Sequence, residues 1–255
     1  MRTILLASAS LLVLTACTSA PPPGPTVPEL PKAGSVQELV TKLNEGIQAK
    51  KSASVQSFWE VKGREGGPSH TRAEGILRAD GGDRVSRKVE AHGDTGLELP
   101  EGIFFKSAEA EGKPWERLDL ANKESATNLV AVRGLVAMND PTRTAEVLQL
   151  GGKIDSAAQE EMSNVQTVKY QVSVDLAKAR DLSEDPITKA MLKTRTAKER
   201  STAVHEIWLT ADHVPVRWKV TELAKDGKGE IVDSVYTDWG RTFDLAPPPA
   251  DQIQK

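Results

Sequence analysis

The chain has 255 residues, 38% of them hydrophobic and 27% charged, and carries a formal net charge of −3. That is the composition of an ordinary globular protein rather than a disordered one, with no excess of positive charge to recommend nucleic acid as a partner. A single cysteine, Cys17, leaves no pair of thiols for a disulfide framework.

The first residues are unlike the rest. Arg2 precedes an apolar stretch from Ile4 to Leu14, too short for a membrane-spanning helix but of the length of a signal-peptide core. Leu14-Thr15-Ala16-Cys17 looks like a bacterial lipobox, in which small residues fit the peptidase cleft and the cysteine sulfur takes a diacylglyceryl group. The alternative is an ordinary secretory signal with an incidental cysteine. Residues 18–34 are rich in Pro and predict an extended spacer at about 3.1 Å per residue. The expected organisation is a cleaved signal peptide over 1–16, a lipidated Cys17 with a Pro-rich tether over 17–34, and one domain over 35–255. Two acyl chains hold a protein at a bilayer essentially permanently.

Beyond the tether, Ser35 caps a predicted helix with Val36, Leu39, Val40, Leu43 and Ile47 on one face, the spacing of a buried stripe. After Lys51 the period changes to two. Strands are expected around Val55–Val61, Ala73–Leu77, Val85–Ala91, Glu101–Lys106 and Trp115–Leu120, separated by Gly-rich turns. A helical block over Lys123–Met138 follows, weakened by Gly134. Asp140-Pro141 then opens a helix that ends at Gly151-Gly152. In "TVKYQVSVDL" Val168, Tyr170, Val172, Val174 and Leu176 alternate with polar residues, as in a sheet with one apolar face. Asp185-Pro186 opens another helix, and three strands around His205–Thr210, Val214–Val220 and Ile231–Trp239 close the order. The predicted fold class is α+β: a strongly curved antiparallel sheet, a half-barrel, with a few helices covering its concave face.

Little in the chain suggests catalysis. His70, His92, His205 and His213 lack metal-ligand spacing, and no Gly-rich phosphate loop or G-x-S-x-G motif occurs. Neither an enzyme nor a cofactor or metal is expected. Glu160-Glu161 and the group Asp181, Glu184 and Asp185 are sequence neighbours on exposed segments, a poor basis for an acid/base pair. Trp59, Trp115, Trp208, Trp218 and Trp239 all sit in or beside expected strands, which favours core packing. Lys189, Lys193, Arg195, Lys198 and Arg200 form a basic stretch suited to phospholipid headgroups; a solvated helix face is the simpler reading.

Several landmarks resemble a known group. These are the lipobox and tether, the first amphipathic helix, "GKPWERLDL" (112–120), "NDPTRTAEVLQLGG" (139–152), "HEIWLTADHVPVRWKV" (205–220) and "SVYTDWG" (234–240). Together they resemble LolA-like lipoprotein carriers, most of all the actinobacterial lipoproteins of the LppX/LprA/LprF/LprG type. The resemblance implies a hydrophobic cavity between sheet and helices that holds lipid or lipoprotein acyl chains. Its expected lining is Leu39, Leu43, Trp59, Leu77, Val89, Phe105, Tyr170, Val172 and Trp218. It also implies a monomer anchored on the outer face of the cytoplasmic membrane. Small residues at core-facing positions, Ser57, Ala73, Gly75 and Ala91, leave room for such a chain unless larger side chains opposite close it. The rival expectation is an extracytoplasmic sensor or interaction module of the same fold that carries no lipid.

Overall fold

A computed structural model describes residues 28–63, 67, 69–81, 84–109, 115–119, 128–129, 132, 134, 140–197 and 199–254. The lipobox and most of the tether lie outside the described residues, as does most of the expected helical block over 123–138. Within that block Asn128, Leu129, Val132 and Gly134 are helical.

The chain opens with α1 (Val36–Lys50), where the Ser35 hydroxyl accepts a hydrogen bond from the Glu38 amide at 3.1 Å. Six strands follow: β1 (Ser52–Lys62), β2 (Ser69–Gly81), β3 (Arg84–Ala91), β4 (Asp94–Leu99), β5 (Gly102–Lys106) and β6 (Trp115–Leu118). Next come α2 (Pro141–Gly151), β7 (Gly152–Met162), β8 (Val165–Asp175), α3 (Leu176–Leu182) and α4 (Pro186–Ala197). β9 (Thr202–Leu209), β10 (Pro215–Leu223) and β11 (Gly229–Thr237) complete the sheet. Both Asp-Pro signals start helices: Asp140 accepts from the Thr142 amide at 2.8 Å and Asp185 from the Thr188 amide at 2.7 Å.

The eleven strands among the described residues form one antiparallel sheet in the order β6-β5-β4-β3-β2-β1-β11-β10-β9-β8-β7. The expected strongly curved half-barrel does not form. β6 and β7 stand at opposite ends of the order and the sheet is open, not closed or strongly curled. Curling was expected because the helices alone seemed available to hide the apolar surface. The structure divides that surface into three clusters on two faces, so no single layer needs to be wrapped.

The main cluster joins α1 to α4 to the inner face of β1, β2 and β8–β11, with Leu39, Leu43, Ile47, Leu148, Leu192 and Ile207 at its centre. A second lies on the inner face of β2–β6, where Leu129 and Val132 cover Ala73, Val89, Ala91 and Leu118. The third is on the outer face. The segment after β11 crosses it, placing Leu245 against Leu97, Leu99 and Phe104 and Ile253 beside Trp115. The Gln254 amide donates to the Trp115 carbonyl at 2.7 Å, so the tail also occupies the free side of β6.

Candidate functional site

The expected cavity-lining residues divide between these clusters. Leu39, Leu43, Leu77, Tyr170, Val172 and Trp218 are buried side by side in the main cluster, none more than 3% exposed. The Tyr170 hydroxyl accepts from the Ala33 amide at 2.7 Å, and burial raises its pKa. Val89 and Phe105 belong to the second cluster. Gly96 of β4 also faces inward there, pairing with Val89 on one side and Phe105 on the other. A methyl group on Gly96 would meet Val132 Cγ1 at 2.9 Å, so the space above these small strand residues is filled.

Trp59 stands apart. In the strand register it faces Val232 of β11; Val232 faces Val220 of β10, and Val220 faces His205 of β9. The four side chains form one row across the inner face, with neighbouring strands about 4.8 Å apart. Trp59, Val232 and Val220 are only partly buried, as is Val61 two residues along β1. The adjacent row, Ser57, Ser234, Trp218 and Ile207, is fully buried. Among the described residues Trp59, Val61 and Val232 belong to none of the three clusters. They form an apolar strip between the two closed parts of the inner face.

His205 carries this row into the interior, where it faces Val172 of β8. Its Nδ1 lies 3.1 Å from Trp218 Nε1, and because an indole nitrogen only donates, Nδ1 accepts. Burial, then the nearby Arg195 charge, lowers the His205 pKa to about 3, so the ring is neutral and its proton sits on Nε2. Two residues beyond Val220, Glu222 is held by Arg195 at 2.8 Å and Arg200 at 3.8 Å; burial raises its pKa. Arg200 also meets Glu230 at 2.8 Å. Two cations of the basic stretch are thus committed to carboxylates, Lys189 and Lys193 are exposed, and Lys198 lies outside the described residues.

A cleft of about 660 Å³ opens between α1, α2 and the ends of β2–β4, bordered by Ile47, Val85, Arg87, Glu98, Arg143 and Glu146. The two arginines on its border pair with carboxylates. Arg87 meets Asp140 at 2.5 Å and Glu98 at 3.6 Å, while Arg143 meets Glu98 at 2.8 Å. Burial raises the Glu146 pKa, and Asp185 adds to the shift. Sequence reasoning assigned none of Arg87, Glu98 and Arg143 a role, and took Asp140 only as a helix cap.

Among the described residues no three His, Cys, Asp or Glu side chains are grouped to hold a metal ion. No described helix is long and apolar enough to cross a membrane.

The architecture, an extended antiparallel sheet with helices on its inner face, is similar to that of several solved lipoproteins and lipoprotein-sorting proteins. The lipoprotein LppX of Mycobacterium tuberculosis matches with a TM-score of 0.47 at 13% identity, over 82% of this chain and 99% of that one. LprF of Mycobacterium bovis matches with a TM-score of 0.42 at 12% identity, over 83% and 97%. A LolA superfamily protein of Nitrosomonas europaea gives 0.35 at 11% identity, over 83% and 96%. No family model and no curated protein sequence matches the chain.

Proposed function

We propose that the protein is a membrane-anchored lipid-binding lipoprotein that takes acyl chains onto the inner face of its sheet. The observation that carries this reading is the partly buried strip Trp59, Val61 and Val232, which belongs to neither inner-face cluster, with Val220 at its edge against the main one. A hydrocarbon chain laid along it gains about 0.8 kcal/mol for each methylene removed from water. No bond is made or broken, and no cofactor is needed. Cys17 supplies the anchor and the Pro-rich tether over 17–34 the spacer, on the extracytoplasmic side of the cytoplasmic membrane. Its residues 28–33 reach the sheet, where the Leu30 amide donates to Gln159 at 2.7 Å.

The test is binding of a fluorescent fatty-acid analogue to the full chain. Saturable one-to-one binding, weakened about tenfold or more by Val232→Asp, a change of roughly 1.4 kcal/mol or more, is the expected result. Absence of saturable binding contradicts the reading. The anchor is tested separately by incorporation of labelled palmitate, which Cys17→Ser abolishes.

A further inference from the structure

Of the four side chains that β1, β11, β10 and β9 contribute to the row, the first and the last each carry an N–H group that lacks an acceptor. Trp59 Nε1 is buried with no hydrogen-bond partner, and so is His205 Nε2. The donor character of the second follows from geometry, since Nδ1 of the same ring accepts from Trp218 at 3.1 Å and leaves the proton on Nε2. His205 is 3% exposed. Glu222 is the nearest inner-face carboxylate along β10, but Arg195 and Arg200 hold it. A buried donor left unpaired is costly, and native proteins rarely keep one without a reason. Between the two donors lie only Val232 and Val220, so this stretch of the row is apolar in the middle and donating on either side.

We propose that Trp59 and His205 are specificity-determining donors for the carbonyl oxygens of an acyl ester lying along the Val232–Val220 strip. This rests on the lipid-binding reading above and adds the chemistry that separates an ester lipid from a bare hydrocarbon. The backbones of the two residues are three inter-strand steps apart, roughly 14 Å, with Val232 and Val220 between them, so a ligand that engages both donors carries more than one ester carbonyl. An ester oxygen suits the site better than a carboxylate, because the donors are neutral and the strip between them carries no charge.

The experiment is infrared spectroscopy of dipalmitoylglycerol, carbon-13 labelled at both carbonyls, bound to the full chain in an alkyl glucoside, which has no carbonyl of its own. The labelled band is expected at the lower frequency of hydrogen-bonded esters. Trp59→Phe should return part of it to the free-ester position, His205→Phe another part, and the double variant all of it. A bound diester whose band sits at the free position, or is unmoved by Trp59→Phe, overturns the donor assignment while leaving lipid binding intact; donors satisfied by buried water give that result. If His205→Phe does not fold, Trp59→Phe alone decides, because its ring is only partly buried. No uptake of the diester by the unmodified chain overturns the lipid-binding reading and this assignment with it.

Discussion

Val132 stands directly over Gly96: a methyl group at the glycine would lie 2.9 Å from Val132 Cγ1 and 3.2 Å from Val89 Cγ1. This contact closes the second cluster over the small strand residues Ala73 and Ala91, so the open part of the inner face lies on the other side of Trp59. Replacing Gly96 with Ala should overpack the contact and destabilise the protein by about 1–3 kcal/mol, read as a lower urea midpoint. Gly96→Val should cost more.

The Arg87–Asp140 pair ties the start of α2 to β3. Asp140 has 1% of its side chain exposed and Arg87 10%, so removing Arg87 takes the 2.5 Å partner from a nearly buried carboxylate and leaves it only the more distant Arg143, at 3.9 Å, as a counter-charge. Arg87→Met is expected to lower stability by about 3–5 kcal/mol in chemical denaturation. Lys42→Met, which breaks an exposed pair with Glu38 on α1, should leave the midpoint almost unchanged.

His205 makes stability depend on pH. Its folded pKa of about 3 lies below the ordinary 6.5, so the unfolded chain binds the proton first as pH falls. The contribution is complete above about pH 6.5, and it is lost as pH falls from there toward the folded value. At pH 5 the loss is about 2 kcal/mol, taking 1.36 kcal/mol per pH unit. Glu222, with its raised pKa, works in the opposite direction. The stability difference between the wild type and His205→Gln, measured at pH 7.5 and pH 5, isolates the histidine and should shrink at the lower pH.

The parts of this fold that were legible in the sequence are those with a local physical signature. Ser35, Asp140 and Asp185 announce helices because each caps its own first turn. β8 is visible because four inward residues, Val168, Tyr170, Val172 and Val174, alternate with polar ones. β4 and β7 escaped. "DTGLEL" places Gly96 at the inward position where the pattern needs an apolar side chain, and "GKIDSAAQEEM" is an edge strand with little to bury. The sheet's openness was hidden for a related reason: the tail over the outer face carries only Leu245 and Ile253 as anchors, too few to show a period. At the site, Trp59 was singled out as aromatic, but the row it shares with Val232, Val220 and His205 comes from four strands. The charges beside the cleft likewise come from separate elements. No local motif could have joined either set.

The tail makes its own prediction. Leu245 is 7% exposed against Leu97, Leu99 and Phe104, and Arg78 donates to its carbonyl at 3.1 Å. Leu245→Ala should destabilise by about 2–3 kcal/mol, at the lower end of core truncations. Increased binding of a hydrophobic dye should accompany the loss, as the outer-face cluster is uncovered.

The central claim is that the inner face holds acyl chains, and native mass spectrometry of the protein, released gently from an alkyl glucoside, tests it most directly. The account predicts a lipid adduct at one molecule per chain, with ester-linked acyl groups in the extracted ligand, and its loss in Val232→Asp. A protein that emerges empty, and stays empty after incubation with membrane lipid, would contradict it.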